Sequence, residues 1–127
     1  MPRKDLVIIP KDEPGVLANL SETLGEAGIN IEACSAFTGG GKGVVHLLVD
    51  KDEEAIQVLA DHGFEVKAAR RVAVAQLENR PGTLAEACHR VEKAGVNIEQ
   101  AYFASDNQLV IVCDDVDTAK DALGITD

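Results

Sequence analysis

The chain has 127 residues, with 12 Lys and Arg against 22 Asp and Glu, a formal net charge of −10. That balance disfavours phosphate backbones and anionic bilayers, which need a cationic face, so no nucleic-acid or membrane partner is expected. Hydrophobic residues make up 46% but aromatics only 3%, so the core must be built from Val, Leu, Ile and Ala.

The first predicted strand is Leu6–Ile9. This apolar run is too short for a secretory leader or a membrane span, and the cytoplasm is the expected location. A polar turn, Lys11-Asp12-Glu13-Pro14-Gly15, leads into a predicted helix from Val16 to about Ala27. Proline suits a first helical turn because its missing N–H has no partner there. Leu17, Leu20, Leu24 and Ala27 step by three, four and three, which draws one apolar stripe along the helix. Gly28 ends it.

A second strand is expected from Ile29 to about Phe37, followed by a flexible hairpin loop over Thr38-Gly39-Gly40-Gly41-Lys42-Gly43. The glycines before Lys42 do not make a phosphate loop. The spacing is wrong, no Ser or Thr follows the Lys, and strands flank it on both sides. The third strand, Val44–Val49, is apolar nearly throughout and so belongs in the middle of the sheet. Asp50 is expected to cap the next helix, with Glu53 in capping-box position. Ala55, Ile56, Leu59 and Ala60 mark the inner side of that helix, Gly63 stops it, and Phe64–Ala68 forms a fourth strand.

The pattern then begins again. Pro81–Glu99 repeats Pro14–Glu32 at an offset of 67, with nine of nineteen positions identical and no gap. A strand from Val72, a helix marked by Leu84, Ala87, Val91 and Ala94, and a stop at Gly95 match the first copy. The third strand of this copy is Leu109–Cys113, and Asp114 is expected to cap a last helix through Ala119, Ala122 and Leu123. No fourth strand is expected, which would leave the strand Val72–Leu77 uncovered in a 4-1-3-2 sheet. The segment Phe64–Arg71, a partner chain, or charged residues would have to protect it.

The fold class expected is therefore α+β, two tandem ferredoxin-like βαββαβ units at 1–69 and 70–127, the second lacking its last strand. Units of about sixty residues bury only ~60% of their unfolded surface, so they need burial against each other or a partner chain. A homodimer or larger assembly is expected.

The two stretches [Asp/Asn]-x-Pro-Gly-x-Leu, helix, Gly-[Ile/Val]-Asn-Ile resemble the ACT domain, a small regulatory module of amino-acid metabolism. Paired in one chain, they resemble stand-alone tandem ACT proteins. The resemblance implies a non-catalytic regulatory protein that binds a free amino acid where this turn faces the Gly-x-Asn region of a neighbouring domain. One site would use Asp12, Gly15, Val16 and Leu17, the other Asn79, Gly82, Thr83 and Leu84, with Asn30 and Asn97 supplied across the interface. It also implies, as alternatives, a subunit that docks on an amino-acid biosynthetic enzyme, or an assembly module without ligand.

The residues alone are consistent with such a site. A helix start offers N–H groups and a positive dipole end to a carboxylate. Glycine lets the backbone approach a ligand, and Asn carries a donor and an acceptor on one short side chain. Asp12, Glu13 or Glu78 would take an ammonium group, although Asp12 repels a carboxylate placed beside it. The two copies are thus expected to be inequivalent.

Little else offers chemistry. Cys34, Cys88 and Cys113 are odd in number and scattered, so neither a disulfide framework nor a zinc site is expected, only buried thiols. His46 aligns with Val110 in the repeat, His62 precedes a helix-ending Gly, and His89 falls on the outer side of its helix. They share no metal-ligand spacing and no triad partner. No catalytic residue, metal or cofactor is therefore expected; a small ferredoxin-like enzyme is the least favoured reading.

Overall fold

A computed structural model of the chain describes residues 3–126. It divides into two compact units, Lys4–Arg70 and residues 71–126 with Arg3. Each is an antiparallel sheet with two helices.

In the first unit the elements run β1 (Lys4–Ile8), α1 (Val16–Glu26), β2 (Ile31–Gly39), β3 (Lys42–Val49), α2 (Asp52–Asp61) and β4 (Val66–Arg71). The sheet order is β2-β3-β1-β4, so the apolar β3 is internal, as its composition requires. Alternation along the strands sends Leu6, Ile8, Val45, Leu47 and Val49 into one core with Leu20 and Leu24 of α1 and Ala55 and Leu59 of α2. Only the middle of the predicted α1 stripe is buried. Leu17 remains 45% exposed at the helix start.

The second unit runs β5 (Ala73–Gln76), α3 (Thr83–Lys93), β6 (Ile98–Phe103), β7 (Gln108–Cys113) and α4 (Val116–Leu123). Among the described residues its sheet has three strands, in the order β5-β7-β6. Ala73, Leu109, Ile111 and Cys113 pack with Ala87 and Val91 of α3 and Ala119 of α4. β5 is therefore an edge strand, and the segment Phe64–Arg71 does not cover it, because β4 pairs with β1 in the other sheet.

Four local expectations change. The glycine loop is no flexible segment: β2 and β3 pair up to Gly39↔Lys42, leaving a two-residue turn at Gly40 and Gly41. Both have positive φ (61° and 79°), the mirror-image turn that matches strand twist. The hairpin tip is also tied down, Gly43 donating to Pro10 O at 2.8 Å. β4 starts two residues late, because the Phe64 N–H still closes the end of α2 on Leu59 O at 2.8 Å.

Neither Asp50 nor Asp114 caps a helix. Lys51 and Asp115 hold those positions, and only Asp115 accepts a capping bond, from the Thr118 N–H at 3.1 Å. Of the three thiols only Cys113 is buried; Cys34 is exposed on the edge strand β2, and Cys88 is half-buried. No helix among the described residues is long and apolar enough to cross a membrane.

Candidate functional site

Each Pro-Gly pair builds a turn immediately before a helix. Gly15 (φ 85°, ψ −3°) and Gly82 (φ 92°, ψ −9°) are the residues before α1 and α3. Those angles fit the third position of a type II turn, with proline at the second. Thr83 closes the second copy's turn, its N–H and hydroxyl both reaching Arg80 O, at 3.5 and 3.3 Å. The prolines thus precede the helices by two residues and lie outside the first helical turn. The glycines are needed for their positive φ; a Cβ at either would meet nothing within 4 Å.

No side chain caps α1 or α3. The first backward helical bonds are Asn19 N–H to Gly15 O (2.9 Å) and Glu86 N–H to Gly82 O (3.0 Å), so the N–H groups of Val16, Leu17 and Ala18, and of Leu84 and Ala85, have no partner within their own helix. In the first copy, Asp12, Val16 and Leu17 line a cleft of about 200 Å³ with Phe37 and Thr38 of β2. Leu17 and Phe37 are exposed there, at 45% and 55%; Leu84 and Phe103 are the exposed apolar residues of the second copy.

A groove also borders each turn, of about 490 Å³ in the first unit and 610 Å³ in the second. Lining positions in one stand 67 residues before those in the other, from Ile8 and Ala75 to Asn19 and Glu86. The shape is repeated and the charge is not: Lys11 becomes Glu78, Glu13 becomes Arg80, and Asn19 becomes Glu86. Arg80 spans both new carboxylates, donating from Nε to Glu78 Oε2 at 3.0 Å and from Nη2 to Glu86 Oε2 at 3.3 Å. The Glu78 bond, then the Glu86 bond, raise the Arg80 pKa above its ordinary value. Glu78 is thus already paired with Arg80 through Oε2. Asn79 is exposed beside it.

Asn30 and Asn97 sit elsewhere. Each follows the helix whose start carries the turn, and eleven helical residues span ~16 Å. One unit therefore does not bring its own turn and its own Asn together. The Asn30 and Asn97 N–H groups donate to Asp50 Oδ1 and Asp114 Oδ1, both at 3.0 Å, and the aspartate N–H groups return bonds to Asn30 O and Asn97 O. This clip explains why those aspartates are not helix caps. Among the described residues neither Asn side-chain amide is hydrogen-bonded, and Asn97 borders a separate hollow with Cys88, His89 and Glu92.

One pair was not anticipated. His46 Nδ1 lies 2.7 Å from Oδ2 of Asp5, whose side chain is fully buried. In the repeat their places are taken by Val72 and Val110, both buried. Two adjacent strands changing together from Val to polar residues is the signal that would have revealed it. His89, by contrast, is exposed beside Glu92 at 3.1 Å, and His62 bonds Val58 O at 2.9 Å. Among the described residues no group of His, Cys, Asp or Glu is arranged to hold a metal ion.

Solved structures share this architecture. A protein from Bacteroides thetaiotaomicron superposes with a TM-score of 0.87 at 28% identity, over 98% of this chain and 88% of that one. The ligand-free regulatory subunit of aspartate kinase from Thermus thermophilus gives 0.73 at 23% identity, over 98% and 91%. The same subunit from Thermus flavus gives 0.69 at 22%, over 98% and 92%. Among curated proteins none matches in sequence. The family model described as an ACT domain pair matches residues 1–126, and the chain belongs to that family.

Proposed function

We propose that this ACT domain pair is a non-catalytic regulator that binds a free amino acid at its Pro-Gly turns. The observation that carries the reading is the duplicated turn, which leaves the first-turn amides of α1 and α3 without a side-chain cap. Such a helix start suits the ligand carboxylate. Because each Asn lies at the far end of its own helix, a complete site takes Asn30 or Asn97 from another domain, which the expected homodimeric assembly would supply. The exposed Leu17, Phe37, Leu84 and Phe103 would be covered in that assembly. The pairing of Glu78 with Arg80, and the presence of Asp12 at the other turn, make the two sites unequal.

The test is a thermal-shift screen of the twenty amino acids, with light scattering across a dilution series. A ligand bound only by the native state adds about 2.7 kcal/mol at a hundredfold excess over Kd. A flat screen at millimolar concentrations would reduce the protein to an assembly module, and the mass of a single chain throughout would remove the shared site. A second reading, a subunit docking on an amino-acid biosynthetic enzyme, is favoured by the likeness to regulatory subunits of aspartate kinase. Co-purification of such an enzyme would support it.

A further inference from the structure

We infer that the cleft between the first Pro-Gly turn and β2 is a side-chain pocket, and that the amino acid bound there carries an aliphatic side chain. This pocket belongs to the amino-acid site proposed above and rests on that reading; what it adds is which copy selects, and for what. The cleft measures about 200 Å³ and is bounded by the turn at 10–13, the first turn of α1, the end of β2 and the start of β3. Those pieces are tied together. The Gly43 N–H donates to Pro10 O at 2.8 Å and the Asp12 N–H to Gly41 O at 3.4 Å, so backbone bonds fix the turn against the hairpin.

Strand register sets what the pocket offers. Ala36 pairs with Val45, which belongs to the core under the helices, so Ala36 faces the helix side with it. With Pro10, Val16 and Leu17 they form a floor without a charged group. Thr38, two residues towards the hairpin tip, is the polar end of this wall. The charges are gathered on the turn, where the Lys11, Asp12 and Glu13 side chains make no hydrogen bond or ion pair among the described residues. The zwitterionic end of an amino acid meets both signs there, next to the Val16 and Leu17 N–H groups. A charged side chain would lose its water against Ala36 and Val45 with no partner to offset the loss, whereas an aliphatic one gains from the same burial. A volume below the ~300–1,000 Å³ of pockets for drug-sized ligands suits one short side chain.

The second unit shows what closes such a pocket. Phe103 follows Ala36 by 67 residues, the offset of the repeat, and pairs with Leu109 of the second core as Ala36 pairs with Val45. By register, a phenyl group therefore stands where the first copy has a methyl. Thr83 replaces Val16, with its hydroxyl on Arg80 O at 3.3 Å. Glu78 and Arg80, the counterparts of Lys11 and Glu13, pair with each other. Each change takes from the second copy either apolar room or an unpaired charge, and selection of the side chain falls to the first.

The experiment is calorimetric titration of the full chain with each of the twenty amino acids. Leucine, isoleucine, valine or methionine is expected to bind about tenfold or more tightly than serine, aspartate or lysine. Ala36→Phe, which installs the second copy's residue at an exposed position, should weaken that ligand about tenfold. Ala36→Asp should shift the preference towards lysine, a change that loss of folding would not produce. A tightest ligand that is polar, charged or aromatic would overturn the pocket and leave the reading of the turns standing. So would a preference unaltered in both folded variants. No binding by any of the twenty would remove the reading of the turns and the pocket with it.

Discussion

Asn97 donates its backbone N–H to Asp114 Oδ1 at 3.0 Å, and the Asp114 N–H returns a bond to Asn97 O at 3.3 Å. Asn30 and Asp50 form the same clip in the first copy. It ties the residue that opens β2 or β6 to the end of the central strand. Asp114→Ala leaves one donor of the clip without its acceptor, and should cost about 1–2 kcal/mol of stability. Asp50→Ala should cost a similar amount. Urea denaturation midpoints check both, and a loss in only one copy would show that the clips are not equivalent supports.

Gly15 and Gly82 give a second expectation. With φ at 85° and 92° and open space around a hypothetical Cβ, the penalty for a side chain is conformational alone. Gly15→Ala and Gly82→Ala should each destabilise by roughly 1–2 kcal/mol, the cost of placing an L-residue in the left-handed region. A change within experimental error in the melting transition of either variant would contradict the turn geometry.

The repeated spacing of apolar residues, Pro-Gly and Gly-x-Asn was enough to place all four helices, and the βαββαβ succession carried the strand order of the first unit with it. Those features are local or periodic, and a sequence displays them directly. What it concealed depends on competition between partners. Asp50 satisfies the rule for a helix cap, yet the Asn30 N–H, twenty residues earlier, claims its carboxylate. Glu78 reads as a free acceptor until Arg80 folds back on it. The glycine stretch 39–41 reads as loose because glycine is permissive, whereas Gly40 and Gly41 supply the signs of φ that a tight hairpin demands. Leu17 belongs to the helical stripe by spacing, but α1 begins only one residue before it, and the core lies beneath Leu20 and Leu24.

A pH expectation rests on α4. The Thr118 hydroxyl, donating to Asp115 Oδ2 at 2.7 Å, and then the Thr118 N–H hold the Asp115 carboxyl below its ordinary range. A carboxyl depressed in the folded state stabilises the fold above its unfolded pKa, near 3.9, and that contribution is lost as pH falls through the lower folded value. Thr118→Val removes the hydroxyl bond, so Asp115 should titrate at higher pH and the acid limb of stability should begin earlier. Carboxyl NMR titration of both proteins checks this; an unchanged Asp115 titration would rule out the hydroxyl as the main cause.

The pair His46–Asp5 yields the last expectation, because the chain contains its own control. At the same positions the second unit carries Val110 and Val72, and both are buried, at 0% and 2% exposure. His46→Val takes from a fully buried carboxyl one of its partners, at 2.7 Å, and should destabilise by about 1–3 kcal/mol. Adding Asp5→Val removes the group whose burial then costs most, and installs the pair the other copy already tolerates. The double variant should recover most of the loss, giving a double-mutant cycle far from additive. Chemical denaturation of the four proteins measures the coupling. If the two single losses simply add, the 2.7 Å contact contributes nothing of its own, and the polar pair is held by its other neighbours.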